Sequence, residues 1–234
     1  MIQLSLVRIR GYGPWTLTLG HDREHELQIL QASVYGTLQR RLSDLGCLLF
    51  ENRRDEFVAI TNGLDRAGHE AAIRGIDPRV TLEASIGSGG TPLEADRAAS
   101  LAGPGGPATG GDSACVMHLD VDGMTGRRGS STAGGAAAEI AALHSLLWSD
   151  CMATGSLAFF MGGDNFMVAA SEEARRGARG LVGRAERELG ILLNCGIGSA
   201  RTGREAARLA TRSLDGIRAK RAAGTRERVS EVAG

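Results

Sequence analysis

An acidic residue stands in a short glycine-rich turn in the second half of the chain. The segment FFMGGDNFMV (159–168) places Asp164 between two apolar runs that have the composition of strands. Gly162 and Gly163 precede this acid and Asn165 follows it, which is typical of a tight hairpin turn. Asp is also an ordinary turn residue, so the segment alone leaves a structural role and a ligand role both open.

Two further carboxylates end an apolar run upstream of this turn. In HLDVDGMTG (118–126), Asp120 and Asp122 are two residues apart, a spacing that projects both side chains from one face of a strand. The backbone amides of the loop that follows could approach phosphate oxygens if the loop leads into a helix. That loop contains Gly123, Met124, Thr125 and Gly126.

Cationic side chains near the C-terminus could serve the same ligand. The segment LDGIRAKRAAGTR carries Arg218 and Lys220 on a predicted helix that packs back on the sheet. There they could bind β- and γ-phosphates. A solvated cationic helix end explains the same residues, so this alternative stays open.

The elements that position these residues occur twice along the chain. SIGSGGTPLEADRAA (85–99) aligns with GIGSARTGREAARLA (196–210), and LLFENRRDEFVAI (48–60) aligns with LAFFMGGDNFMVA (157–169). Two separate segments with nearly the same offset indicate an internal repeat.

The two copies of the repeat differ in the acidic residues that they carry at corresponding positions. Asp55 falls opposite Asp164, but Arg8 falls near Asp120 and Arg10 near Asp122. An arginine competes for a carboxylate and repels a divalent cation. The sequence therefore predicts a metal site in the second half only, with Asp55 structural or paired with arginine.

Each half is predicted to fold as strand, helix, two strands, helix, strand, helix. The predicted strands lie near 2–10, 46–51, 56–61 and 80–86, and near 115–121, 156–161, 166–170 and 191–197. The predicted class is α+β, with two tandem ferredoxin-like βαββαβ halves. The halves are placed at 1–101 and 114–234, and a Gly/Pro linker spans 102–113.

In a βαββαβ sheet, the hairpin between strands two and three turns at the edge where strand one ends. We therefore expect Asp164 to lie beside Asp120 and Asp122. Carboxylates held together need a neutralising cation, and an oxygen-only set suits Mg²⁺ with a bound polyphosphate. Asp120, Asp122 and Asp164 are the predicted metal ligands.

The composition fits a soluble globular protein. Hydrophobic residues make up 42% of 234 residues and the formal net charge is zero, which gives no electrostatic case for nucleic acid or an anionic membrane as partner. No apolar run approaches the roughly 18 residues of a membrane span, and the N-terminus has the pattern of a strand rather than of a signal peptide. A cytoplasmic location is expected.

The four cysteines are far apart and lie in or beside apolar runs. Cys47, Cys115, Cys151 and Cys195 have no paired spacing. Zinc and a disulfide framework are therefore not expected, and we predict four buried thiols.

Several separated motifs resemble one known family. GYGPWT, VYGTL, AITNG, HLDVDGMTG, FFMGGDNFM and GIGSARTGREAARLA follow one another across nearly the whole chain. With this order and spacing the chain is similar to GTP cyclohydrolase III, a family of two palm-like halves related to diguanylate and adenylate cyclases. RAKRAAGTR also resembles the phosphate-binding end of diguanylate cyclases.

The resemblance implies a reaction and several residue roles. It implies Mg²⁺-dependent conversion of GTP to a formylaminopyrimidine ribosyl monophosphate, with ring opening at C8 and release of two phosphates. Asp120 and Asp164 would be metal ligands, and the Gly162–Gly163 turn and Asn165 would lie over the phosphates. A homo-oligomer is also expected.

Two positions depart from the family pattern, and one role stays open. The family often has Asn where this chain has Asp122, and relatives have Asp where this chain has Arg10. His118 lies two residues before Asp120 on the same strand face and is a candidate base for water attack at C8. A structural histidine explains it equally well.

Two other functions use the same residues. A nucleotide or diguanylate cyclase would use the metals for attack of a 3′-hydroxyl on the α-phosphate. A GTP sensor would bind the nucleotide without turnover. The products formed from GTP and Mg²⁺ distinguish the three.

Overall fold

The computed structural model describes residues 1–108, 110–123 and 132–234. Met124, Thr125 and Gly126, which the sequence assigns to the phosphate loop, lie outside the described residues. None of the helices in the described ranges is long and apolar enough to cross a membrane.

The first sheet is antiparallel and has the strand order β2-β3-β1-β4. Its strands are β1 (Ile2–Ile9), β2 (Leu48–Arg53), β3 (Glu56–Ile60) and β4 (Leu82–Gly89). The helices of this part of the chain are α1 (Tyr12–Leu17), α2 (Glu24–Asp44), α3 (Arg66–Ile73) and α4 (Pro92–Ala102).

The second sheet has the order β6-β7-β5-β8-β9, in which only β9 runs parallel to its neighbour. Its strands are β5 (Ala114–Val121), β6 (Leu157–Gly162), β7 (Asn165–Ala169), β8 (Leu193–Ala200) and β9 (Val229–Ala233). The helices are α5 (Ala133–Ala153), α6 (Glu172–Leu189) and α7 (Gly203–Ala222). The fold is thus α+β, as predicted.

Each sheet has one face that packs against helices of its own part of the chain. The other faces of the two sheets contribute to one shared hydrophobic cluster. Val7 and Ile9 pack with α2 and α3, whereas Leu4 and Leu6 on the alternate face join a cluster with α4, α7 and the second sheet. Phe50 and Phe159 belong to this shared cluster, and their rings stack with centroids 4.1 Å apart. Because successive side chains of a strand point to opposite faces, β1 contributes residues to two hydrophobic clusters.

Close approach of α7 to β8 requires glycine. A Cβ on Gly198 would lie 2.2 Å from the carbonyl oxygen of Ala206 and 2.3 Å from the amide nitrogen of Ala210. The helix begins after Thr202, whose side chain accepts a hydrogen bond from the Glu205 amide. These contacts fix the helix that carries Arg218.

The predicted strands are present, with ends that differ by three residues at most. Two elements of the described ranges were not predicted. Helix α1 lies in the GYGPWT motif, and β9 lies near the C-terminus, where every residue is half-buried or exposed. The predicted linker is held to the first sheet, since the Gly110 amide donates to Gln3 Oε1.

All four cysteines are free thiols. Cys47, Cys151 and Cys195 are buried as predicted, and Cys115 is half-buried. Burial raises the pKa of Cys47 and of Cys151 to about 12, so both stay protonated at neutral pH.

Candidate active site

Strand β5 directs its alternate side chains to two different helix layers. Met117, Leu119 and Val121 pack in the core formed with α5 and α6. The side chains of His118 and Asp120 contact α7 on the opposite face. The polar residues of HLDVD therefore lie together under α7 because of strand alternation.

The β6–β7 hairpin meets the end of β5, as the predicted strand order requires. Asp120 pairs with Asn165 across the sheet, and the Val121 amide donates to the carbonyl oxygen of Asp164 at 3.1 Å. Gly162 and Gly163 have φ values of 96° and 64°, a left-handed backbone that favours glycine. The turn sequence thus sets the position of Asp164.

Asp120 is buried and carries an arginine as its counter-ion. Its carboxylate is 3.0 Å from Nη2 of Arg218, and Nη1 of the same guanidinium is 3.1 Å from Asp215. Arg218 thus lies beside the acid, and its predicted role in phosphate binding stays a prediction. Lys220 instead pairs with Glu227 at 2.9 Å, so its ammonium group is engaged elsewhere.

Asp122 lies between two arginines. Its Oδ2 atom is 2.6 Å from Arg221 and 3.2 Å from Arg228, which also donates to Asn194 Oδ1. The hydrogen bond from Arg221 lowers the pKa of the Asp122 carboxyl most; burial opposes this shift and Arg228 adds to it. Asp122 is therefore held in its charged form.

Sequence reasoning missed Arg221 and Arg228. Arg221 is three residues after Arg218, so one helix face carries both. Two acids on one strand face, Asp120 and Asp122, could have suggested two arginines on the helix that packs on that face. Arg228 precedes the unpredicted strand β9, and no local pattern marks it.

The three predicted metal ligands do not form a compact cluster. Among the described residues, no group of three or more His, Cys, Asp or Glu side chains is close enough to hold a metal ion. The counter-ions of Asp120 and Asp122 in this arrangement are arginines. The carboxylates nonetheless lie at the same end of the sheet, because Asp120 is near the end of β5, Asp122 follows this strand and Asp164 is in the adjoining turn.

His118 is hydrogen-bonded through both ring nitrogens. Nδ1 lies 3.1 Å from the Thr211 hydroxyl and Nε2 lies 3.2 Å from Asn165 Oδ1. The Asn165 amide donates to Asp164 Oδ1 at 2.8 Å. Burial lowers the pKa of His118. This geometry favours a histidine that positions the hairpin, and the role of general base stays a prediction.

The corresponding edge of the first sheet has its charges reversed. Arg8 pairs with Glu56, and Arg10 pairs with Glu83 at 3.1 Å. Asp55 accepts hydrogen bonds from Arg53 at 2.8 and 3.2 Å. The expected pairing of Asp55 with an arginine is confirmed.

Fold and side chains together define an α+β protein with a carboxylate–arginine site at the edge of its second sheet. The family model of GTP cyclohydrolase III matches residues 2–230. The chain belongs to the GTP cyclohydrolase III family, and the resemblance in its motifs is thereby confirmed.

Relatives named GTP cyclohydrolase III match nearly end to end. The protein of Methanothermobacter thermautotrophicus is 34% identical over 236 residues, covering 93% of this chain and 95% of that protein. The protein of Pyrobaculum aerophilum is 32% identical over 232 residues, covering 97% and 99%.

Solved structures that match this chain have lower identity. The GGDEF domain of DgcB from Caulobacter crescentus, in complex with c-di-GMP, is 16% identical with a TM-score of 0.40, covering 51% of this chain and 77% of that one. A bacterial light-regulated adenylyl cyclase is 12% identical with a TM-score of 0.40, covering 90% and 82%.

Proposed function

We propose that the protein is a Mg²⁺-dependent GTP cyclohydrolase. It opens the imidazole ring of GTP at C8 and releases two phosphates, leaving a formylaminopyrimidine ribosyl monophosphate. Family membership supports the reaction class. The observation that carries the site is the buried carboxylate of Asp120, which lies at a sheet edge beside the Asp164 turn and an arginine.

The oxygen donors at this edge fit Mg²⁺. Asp120, Asp122 and Asp164 offer carboxylates, the ligands that this cation takes together with substrate phosphates. Bound Mg²⁺ would supply charge neutralisation of the triphosphate and a more acidic water. To bind Mg²⁺, Asp120 and Asp122 would have to exchange their arginine partners for the metal ion.

The arginines have a second set of partners in the proposed complex. Arg218, Arg221 and Arg228 now neutralise Asp120 and Asp122. A guanidinium binds phosphate and carboxylate through the same planar pair of N–H donors. Binding of the metal-bound triphosphate would therefore move these cations from carboxylate to phosphate without leaving either group unpaired.

Other residues position the substrate in this proposal. The Gly162–Gly163 turn allows close approach of backbone to the phosphates, and Asn165 orients Asp164 through its amide. Gly123 begins the loop that follows β5 and would contribute amide donors. His118 positions Asn165 through the hydrogen bond between its Nε2 atom and Asn165 Oδ1.

We propose that the two sheets are tandem ferredoxin-like repeats with divided roles. Strands β1 to β4 match β5 to β8 in length, with eight, six, five and eight residues each. The strand orders also correspond. The half at 114–234 would carry the metal, and the half at 1–101 would complete the nucleotide pocket.

The reaction is tested with purified protein, GTP and Mg²⁺. Two phosphates and a ring-opened monophosphate, identified by mass, are expected. Pyrophosphate with a cyclic nucleotide would replace the proposal by a cyclase, and unchanged GTP would replace it by a sensor. Asp164→Asn should lose Mg²⁺-dependent turnover while keeping the fold, because the turn lies at the surface edge of the sheet.

The division between halves is tested by metal stoichiometry with a non-hydrolysable GTP analogue. Asp120→Asn should reduce the number of bound Mg²⁺ ions per chain. Asp55→Asn is the matched control and should leave that number unchanged, because the strand end near Asp55 carries Arg8 and Arg10 where the second half carries Asp120 and Asp122. Metal loss in the Asp55 variant alone would reverse the assignment.

A further inference from the structure

Helix α7 contacts the polar face of β5 at two points. Arg218 pairs with Asp120, and this contact belongs to the site described above. The hydroxyl of Thr211, seven residues earlier on the helix, lies 3.1 Å from Nδ1 of His118. Seven residues are about two helical turns, so both contacts lie on one face of α7. Thr211 begins a series of hydrogen bonds that ends at the carboxylate of Asp164.

Asp164 determines the direction of the hydrogen bonds in this series. An ionised carboxylate only accepts hydrogen bonds, so Asn165 must present its amino group to it, and Nδ2 lies 2.8 Å from Oδ1 of Asp164. The carbonyl oxygen of Asn165 therefore faces His118, whose Nε2 atom is 3.2 Å away. A carbonyl oxygen cannot donate, so Nε2 carries the proton of this hydrogen bond.

The Thr211 hydroxyl acts on the other nitrogen of the ring. A neutral imidazole with its proton on Nε2 has a lone pair on Nδ1, and this lone pair accepts a hydrogen bond. Thr211 supplies a donor there, and its hydroxyl has no other hydrogen-bond partner among the described residues. The hydroxyl therefore favours the tautomer of His118 that can donate to Asn165.

The fold itself does not require a histidine at this place. The register of the first sheet puts Leu6 at the position that His118 has in the second. Leu6 is buried in the hydrophobic cluster that the two sheets share. Because an apolar side chain suffices there for packing, we attribute the polar contacts of His118 to the turn that carries Asp164.

We propose that Thr211 is a positioning residue for the Asp164 carboxylate, an inference that rests on the proposed function. The hydroxyl orients His118, which orients Asn165, which in turn fixes Oδ1 of Asp164. Oδ2 of Asp164 accepts no hydrogen bond from the described residues, so it is the oxygen that would bind Mg²⁺. Since Arg218 is on the same helix face, α7 positions both a carboxylate and an arginine of the site.

Loss of the hydroxyl would leave Nδ1 of His118 beside an apolar group. The ring could then take the tautomer with its proton on Nδ1, which turns a lone pair toward the carbonyl oxygen of Asn165. Two acceptors repel each other, so Asn165 would no longer hold Asp164 in one orientation. Groups that orient a metal ligand typically contribute about 10- to 100-fold in metal affinity. Thr211 acts through two intervening side chains, so we expect the lower value.

The first measurement is the affinity for Mg²⁺ in the presence of a non-hydrolysable GTP analogue, by calorimetry. Thr211→Val keeps the shape of the side chain without the hydroxyl and should bind Mg²⁺ about tenfold more weakly. Thr211→Ser keeps the hydroxyl and should stay within about twofold of wild type. Ser100→Ala is the matched control, because it removes an exposed hydroxyl from the corresponding position of α4. Its affinity for Mg²⁺ should be unchanged.

The second measurement detects the tautomer and needs neither metal nor nucleotide. NMR spectra of protein with isotope-labelled histidine should show a proton on Nε2 of His118 and none on Nδ1. These resonances are assigned by their absence from His118→Leu. Thr211→Val should give a mixture of tautomers, and Thr211→Ser should restore the single one. A purely structural Thr211 would lower the urea midpoint of Thr211→Val without changing the tautomer.

A double substitution tests whether Thr211 acts through the histidine. His118→Leu introduces the residue that the first sheet has at this position and should weaken Mg²⁺ binding about tenfold. Adding Thr211→Val to it should change the affinity by less than about twofold, because the group on which the hydroxyl acts is gone. Losses that add in the double variant would overturn the inference.

Each remaining outcome also decides the inference. Equal Mg²⁺ affinity in wild type and Thr211→Val would overturn it even if GTP is hydrolysed. A tautomer that Thr211→Val leaves unchanged would overturn it, and so would wild-type protein that binds no Mg²⁺. Mg²⁺ affinity and tautomer that both depend on the Thr211 hydroxyl would uphold it even if GTP is returned unchanged, and then only the proposed reaction would fail.

Discussion

Replacing Asp122 with asparagine separates a structural role of this acid from a role as metal ligand. The carboxylate lies between Arg221 at 2.6 Å and Arg228 at 3.2 Å. Asn keeps the shape and one acceptor oxygen but removes the charge. Two guanidinium groups would then face each other without the anion that holds them together.

The expected cost follows from the burial of the three side chains. Asp122 is 23% exposed, Arg221 29% and Arg228 21%, so the cluster is neither fully solvated nor fully buried. Exposed ion pairs contribute about 0.2–1 kcal/mol, and breaking a buried pair costs about 3–5 kcal/mol. We expect a loss of about 2 kcal/mol, or about 4–8 °C in Tm.

The assay is urea unfolding at neutral and acidic pH. The folded-state pKa of Asp122 is lowered, so its contribution is fully present above about pH 4 and is lost as pH falls through the folded pKa. The difference between wild type and Asp122→Asn should therefore shrink in acid. Glu205→Gln, which removes a carboxylate from an exposed Arg208 pair, should leave the midpoint unchanged.

A loss below about 0.5 kcal/mol for Asp122→Asn, the range of ordinary surface substitutions, would refute this reasoning. So would a difference that is the same at both pH values. If stability falls as expected while Mg²⁺ affinity in the presence of a GTP analogue is unchanged, Asp122 is an arginine anchor rather than a ligand.

Two further predictions concern packing and a buried histidine. Gly198→Ala should destabilise the fold by about 1–3 kcal/mol and lower turnover, because its Cβ would lie 2.2 Å from the Ala206 oxygen and displace the helix that carries Arg218; unchanged urea midpoints and activity would contradict this. Burial lowers the pKa of His69, so its contribution to stability is present above about pH 6.5 and is lost in acid. Between pH 7 and 5 the midpoint of wild type should fall more than that of His69→Gln, and parallel slopes would disprove it.

The sequence determined most of the elements and their order. The alternation of HLDVD predicted the strand whose polar face lies under α7. Such patterns depend on neighbouring residues, so they can be read locally. The meeting of the Asp164 turn with the end of β5 followed from the strand order alone, because βαββαβ topology places that hairpin beside the first strand.

Tertiary structure decided the partners of the charged residues. The chain has 27 basic and 27 acidic side chains, and nothing in their order assigns Arg228 to Asp122, 106 positions away. Which acid meets which base depends on how α7 and β9 pack on the sheet. The same packing pairs Lys220 with Glu227 and gives both ring nitrogens of His118 a hydrogen-bond partner.

A cleft between the two halves also became visible only in three dimensions. Glu51 and Trp148 are separated by nearly a hundred residues, and each looks like an ordinary surface residue within its own segment. They face one cavity because β2 and β6 meet at their edges. Local sequence encodes the strands, but the packing of two sheets on one shared core sets which edges meet, and that choice depends on side chains from the whole chain.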